Sequence, residues 1–264
     1  MKLKVGIFDS GIGGFTVLKS LLSKNKDVEV LYLADMDRSP YGDKNEDDIR
    51  IIAAEICNWF KDKKLDALLV ACNTTNSCAL DILDKRLNIP CFDLINSVSS
   101  IISEKRIGIL ATSATVKSSF YKNIIESKYK GIRVFQQSCP EFVNEIEKIP
   151  LDFEKINSLS KEYSKKLLSH NIKEIILGCS HYPLIYQILR KQIPSEIKMI
   201  DPSMSLINKF NKYFYKEEKY CYKEPSYEDV RFFTTGNIEE FAKKVSNWLE
   251  INKKISLVNL RTGS

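Results

Sequence analysis

Two textures alternate along the chain. Continuous short apolar runs read as strands: KVGIF (4–8), VEVLYLA (28–34), DALLVA (66–71), PCFDLI (90–95), RIGILA (106–111), IRVFQ (132–136), EIILG (174–178), IKMID (197–201) and VRFFT (230–234). Between them lie stretches with helical periodicity. The clearest is NEDDIRIIAAEICNWFKDK, which sets Ile49, Ile52, Ala53, Ile56 and Phe60 on one face. Strands that are apolar throughout, each followed by a helix, imply parallel sheets covered on both faces, so the pattern predicts an α/β fold. In such sheets ligands bind just beyond the carboxyl ends of the strands, which directs attention to the loops that follow them.

Four of those loops are unusual: FDSGIGGFTVL after the first strand, ACNTTNS after the third, ATSATVKSS after the fifth and GCSHYPL late in the chain. The interval from Asp9 to Cys72 is close to that from Thr112 to Cys179, and VGIFDSG reads like IGILATS. The repetition predicts two similar parallel-sheet α/β lobes, related by a pseudo-two-fold axis and facing each other across a cleft. Residues 1–95 with 205–264 would form the first lobe, carrying Asp9 and Cys72. Residues 96–204 would form the second, carrying Thr112 and Cys179.

Composition narrows the function. Of 264 residues, 44% are hydrophobic and 28% charged, a soluble globular balance without a low-complexity tract. No apolar run is long enough to span a bilayer, and MKLKVGIFDSG enters a strand pattern at once, so the expectation is a cytoplasmic protein without a signal peptide. The net charge of +6 comes from scattered lysines interleaved with acids, as in KDKK and YKEEKYCYKE, which argues against a nucleic-acid partner. Seven cysteines, an odd number without a CxxC pair, do not suggest a disulfide framework, and only His170 and His181 are available as histidine ligands, so no metal site is expected.

Cys57 and Cys78 fall on apolar faces of helical patterns and Cys91 opens a strand, as buried thiols usually do, while Cys139 and Cys221 carry no local signal. Cys72 and Cys179 differ. Each follows a strand and precedes a helix start, with Asn73 and Thr74 as N-cap types after one and Pro183 as a first helical residue after the other. A thiol there meets unpaired N–H groups and the positive end of a helix dipole, both of which favour thiolate. His181, two residues beyond Cys179, is placed to relay a proton or stabilise a thiolate. Asp9 and Ser10 open a GIGG turn in which Asp or Ser would cap a helix and the glycines would let backbone approach a phosphate or carboxylate. No P-loop or full dinucleotide fingerprint accompanies it. Pro40-Tyr41-Gly42 reads as a turn able to clamp a carboxylate.

Taken in order, GIFDSGIGGFTVL, YLADMDRSPYG, LLVACNTTNSCALD, GILATSATVKSSFY, SCPEFV, ILGCSHYPLI and MIDPS resemble the glutamate racemases, within the cofactor-independent aspartate/glutamate racemase family. The resemblance runs from residue 5 to about 203. It departs at Met36 and Asp37, where small residues are usual, at Ser113 in place of proline, at Ser180 in place of threonine, and in CFDLINSVSS, which lacks a glycine-rich turn.

What the resemblance implies is a racemase using two bases at Cα of glutamate, needing neither pyridoxal phosphate nor metal and supplying D-glutamate for bacterial peptidoglycan. Cys72 and Cys179 would exchange the proton, Asp9 supporting the first and His181 the second. Substrate contacts carried over are Asp9, Ser10, Pro40, Tyr41, Gly42, Asn73, Thr74, Thr112, Thr115, Ser180 and His181. A homodimer is also implied. Two other readings are an aspartate-preferring or broad racemase, and a non-catalytic phosphate- or nucleotide-binding module built on DSGIGG.

Overall fold

The computed structural model describes residues 2–216 and 224–261; Cys221 lies outside them. Its strands are all paired in parallel and form two sheets. The first is six-stranded, in the order β10-β9-β2-β1-β3-β4, from β1 (Leu3–Asp9), β2 (Val28–Ala34), β3 (Ala67–Val70), β4 (Cys91–Asp93), β9 (Val230–Thr234) and β10 (Ile255–Leu257). The second is four-stranded, β6-β5-β7-β8, from β5 (Arg106–Ala111), β6 (Arg133–Ser138), β7 (Glu174–Gly178) and β8 (Lys198–Ile200). The segment 2-1-3-4 of one sheet repeats as 6-5-7-8 in the other, so the two-lobed α/β architecture expected from the sequence is present.

Strand order fixes where chemistry can sit. In each sheet the chain steps one way from the central strand and then reverses, between β1 and β3 in one and between β5 and β7 in the other. At such a reversal the two following helices leave on opposite faces and open a crevice at the carboxyl ends of the strands. Asp9 and Cys72 stand at the first crevice, Thr112 and Cys179 at the second.

The helices cover these sheets as their patterns require. They are α1 (Phe15–Lys24), α2 (Glu46–Lys61), α3 (Asn73–Arg86), α4 (Leu94–Val98), α5 (Ser113–Ser118), α6 (Phe120–Lys128), α7 (Phe142–Ile146), α8 (Phe153–Leu168), α9 (Tyr186–Gln192), α10 (Pro202–Tyr215) and α11 (Ile238–Leu249). In α2, Asn45 accepts from the Asp48 amide at 2.8 Å, three acids occupy the first turn, and the predicted face is buried together with Cys57. Cys78 is likewise buried in α3 and Cys91 opens β4. No described helix is long and apolar enough to cross a membrane.

Two elements differ from the sequence reading. PCFDLI is strand only as far as Asp93, whose carboxylate accepts from the Asn96 amide at 2.7 Å and starts α4 at once, in the segment that lacks glycine. β10 was not anticipated. It is three residues long, with Ile255 alone of the three buried, and among the described residues it pairs only with β9.

Asn76 braces the first crevice from within α3. Its amide donates to the Val70 carbonyl at 2.8 Å and the Cys72 carbonyl at 2.7 Å, and its oxygen accepts from the Leu94 amide at 2.7 Å. One buried side chain thereby ties the end of β3, the cysteine loop and the start of α4. Asn76→Ala should cost roughly 2–4 kcal/mol, since it strands buried backbone partners, whereas Ser127→Ala, at an exposed hydroxyl, should leave the denaturant midpoint unchanged.

Candidate active site

Cys72 is the N-cap residue of α3, so Asn73 and Thr74 lie in the first helical turn instead of capping it. The thiol is 3% exposed, and its sulfur is 3.8 Å from the Ser10 hydroxyl. Burial, reinforced by the nearby Asp9 charge, pushes Cys72 up to about 12; the Thr75 hydroxyl and amide and the Ser10 hydroxyl oppose this. Proximity to the helix terminus does not by itself make Cys72 a thiolate.

Asp9, the last residue of β1, caps no helix, because α1 starts after Gly14. One carboxylate oxygen accepts from the Gly11 amide at 2.8 Å; the other accepts from the Ser180 hydroxyl, across the lobe boundary, at 2.8 Å. Burial raises the Asp9 pKa, against the His181 charge and these two hydrogen bonds. The GIGG turn serves this same boundary. A Cβ on Gly13 would come within 2.3 Å of the Ser180 hydroxyl, and one on Gly11 within 2.3 Å of a Glu147 oxygen. The glycines admit the second lobe.

On the other side, Cys179 immediately follows β7. Pro183 falls in a short 3-10 turn, Tyr182–Ile185, and α9 starts only at Tyr186, so Cys179 lacks the adjacent α-helix terminus that Cys72 has. A side-chain chain takes its place. The Cys179 sulfur is 3.8 Å from His181 Nδ1, and His181 Nε2 is 2.6 Å from Glu147 Oε1. Glu147 Oε1 also accepts from the Ile12 amide at 3.2 Å, and its Oε2 from Lys244 Nζ at 2.7 Å. Burial alone would lower the His181 pKa, but hydrogen bonds to Cys179 and Glu147 and the Glu147 charge carry it well above 6.5. Burial would raise Glu147, yet His181 and Lys244 bring it down to about 2. His181 and Glu147 therefore form an imidazolium–carboxylate pair at neutral pH.

Both thiols line one cavity, each from its own sheet. Around it stand Ser10, Pro40, Tyr41, Gly42, Asn73, Thr74, Thr112, Ser180 and His181, with Val143 added from α7. Two sequence candidates stand behind that lining: Asp9 beneath Ser180, and Thr115 behind Thr112, whose hydroxyl donates to it at 3.0 Å. The lining is largely hydroxyl and amide. Thr74 and Thr112 share a hydrogen bond at 3.0 Å across the lobes, Tyr121 donates to Asn73 Oδ1 at 2.6 Å, and Asn73 Nδ2 is a buried donor without a partner among the described residues. Tyr41 is steadied by donation to the buried Asp35, which also takes Arg38 Nε at 2.7 Å. Ser180 keeps the hydroxyl its departure from threonine preserved, and Ser113 shares a bond with Ser138 at 2.9 Å. At about 10 Å³ the cavity equals roughly one water-sized sphere, so the lobes are closed on each other.

Sequence reasoning missed Glu147 and Lys244. In NEIEKIP and EEFAKKV both look like solvated charges, and no local signal marks them.

Known proteins share this fold and much of this sequence. The profile of the Asp/Glu/hydantoin racemase family matches residues 16–209. A glutamate racemase of Prochlorococcus marinus (strain NATL2A) is 45% identical over 260 residues, covering 98% of each chain. Among solved structures, glutamate racemase from Francisella tularensis in complex with D-glutamate superposes with a TM-score of 0.88 at 30% identity over 99% of each chain. A glutamate racemase isoform from Bacillus anthracis gives 0.89 at 25% identity, also over 99% of each chain. With its repeated sheets, its paired strand-end thiols and this kinship, the chain belongs to the Asp/Glu/hydantoin racemase family.

Proposed function

We propose that this protein interconverts L- and D-glutamate by a two-base exchange at Cα, with Cys72 and Cys179 as the two catalytic residues and D-glutamate for peptidoglycan as the product drawn off. The observation that carries the reading is the convergence of two thiols from separate sheets on one cavity, each with different partners. Inverting a stereocentre requires one group to take the α-proton from one face while another delivers a proton to the opposite face. Kinship with glutamate racemases, one of them solved with D-glutamate, supports glutamate as the substrate.

For the L-isomer, Cys179 takes the α-proton and Cys72, held as a thiol by its burial, reprotonates the other face; for the D-isomer the roles reverse. The His181 imidazolium donates to the Cys179 sulfur while that sulfur carries charge, and Glu147 is a positioning residue that holds the ring and its proton. Carbanion charge at Cα develops in a closed, nearly dry site, where oriented donors are most effective. The Asn73 amide and the hydroxyls of Ser10, Thr74, Thr112 and Ser180 supply donors for the carboxylates, with Tyr41 and Gly42 closing one wall. Asp9 bears on Cys72 through its charge, which favours the protonated thiol and so supports Cys72 as proton donor. The DSGIGG turn does not favour a nucleotide, because the second lobe fills the space its glycines leave.

The decisive assay is incubation of the purified protein with L-glutamate alone, in D₂O, followed by chiral analysis. D-glutamate should form, and early product should carry deuterium at Cα while remaining substrate keeps hydrogen. Equal early labelling of both pools would indicate a single shared base, and much faster turnover of aspartate would move the substrate assignment.

Cys72→Ala and Cys179→Ala should each reduce racemisation by about a thousandfold or more with circular dichroism unchanged. Cys57→Ala, away from the cavity, should lower stability with turnover retained.

The His181–Glu147 pair also sets a pH window for stability. Glu147, depressed from 4.5 to about 2, contributes above pH 4.5 and loses that contribution as pH falls towards 2. His181, raised above 6.5, contributes fully below 6.5 and loses it as pH rises through its elevated value. The stability gap between wild type and Glu147→Gln should thus be widest between about pH 4.5 and 6.5 and narrow on both sides, as followed by urea titration. A gap independent of pH would contradict the pairing.

A further inference from the structure

A lysine in the core-facing stripe of a helix is costly unless it is paired. Lys244 occupies such a position in α11, between Phe241 and Val245, with a side chain only 7% exposed. Phe241 packs on Phe15 and Tyr32, which places α11 firmly on the first lobe. The Lys244 ammonium nevertheless reaches Glu147, 2.7 Å away and part of the second lobe; its other acidic partner, Glu240 at 2.9 Å, is on its own helix and exposed.

The Cys179 relay is therefore divided between the lobes. Cys179, His181 and Glu147 belong to the second lobe, whereas both groups that grip Glu147 from outside it, the Lys244 ammonium and the Ile12 amide, come from the first. We propose that Lys244 is a positioning residue for the Cys179 half of the proton exchange: closure of the lobes delivers its ammonium to Glu147, which then fixes His181 against the sulfur. The relay is thus complete only where the two lobes meet. This rests on the racemase reading above.

Charge bookkeeping gives the proposal a signature. The groups facing Glu147 are His181, Lys244 and the Ile12 amide, with Asp9 as a nearby like charge and Tyr32 as a buried neutral hydroxyl. Lys244 faces Glu147 and Glu240. With Lys244 present, the Lys244–Glu147–His181 cluster carries one net positive charge beside Cys179; a neutral residue at 244 leaves none. Positive potential is then lost where the sulfur must carry charge. Because L- and D-glutamate have equal free energy, kcat/KM must fall by the same factor in both directions, so the pH profile, and not a directional preference, is the readout.

The experiment is kcat/KM from pH 6 to 9, in both directions, for wild type, Lys244→Met, Lys244→Gln, Lys244→Arg and Glu240→Gln, with thermal melts of each. The neutral variants should lose about tenfold or more at neutral pH, with the acid limb moved up by roughly one unit. Lys244→Arg should stay within about threefold of wild type with its limb in place, and Glu240→Gln should overlay wild type. Wild-type profiles for the neutral variants would overturn the proposal. So would a loss uniform across pH that arginine does not rescue, or failure of both neutral variants to fold, since either assigns Lys244 to stability alone. Absence of racemisation by wild type would instead fail the racemase reading itself.

Discussion

In the proposed two-base exchange, two proton carriers flank one carbon from opposite sides, and a single parallel sheet cannot provide them, because all its strand ends point the same way. The fold meets that constraint by repetition. The order 2-1-3-4 recurs as 6-5-7-8, each copy opening one crevice and each crevice holding one strand-end cysteine. Much of what surrounds the cavity follows from bringing those two crevices together. Gly11 and Gly13 lack side chains so that Glu147 and Ser180 can approach, and Ser180 reaches across to Asp9.

Repetition of the scaffold did not produce repetition of the chemistry. Cys72 has a helix terminus, hydroxyl donors and a buried carboxylate as neighbours, and its proton is held tightly. Cys179 has a short 3-10 turn and a histidine whose own proton is held by a carboxylate. The environments differ in kind: one is made of neutral dipoles opposed by a charge, the other of an ion pair. A two-lobed enzyme acting on mirror-image substrates is in this sense not its own mirror image.

The sheets were legible because strands covered on both faces must be apolar throughout, and nine such runs stand out. β10 escaped because an edge strand of three residues needs no such run, and the PCFDLI reading ran too long because Asp93 ends the strand by capping a helix. The cysteines were legible as thiols placed where strands end. The GIGG turn was legible for close backbone approach, but not for the second lobe that comes near it, since sequence does not say which neighbour the glycines admit. Glu147 and Lys244 were illegible for a related reason. Their burial is created by contact between lobes, and locally they are ordinary charges on amphipathic segments.

The hydrogen bonds that close the cavity join Ser180 to Asp9, Thr74 to Thr112 and Tyr121 to Asn73. In the proposed reaction several of these groups are also the donors that receive carboxylates, and the neutral bonds among them are individually modest. An amino acid entering between the lobes is therefore a competitor for partners already engaged, replacing the protein's grip on itself. A tighter seam would shut water out more completely and hold substrate less well.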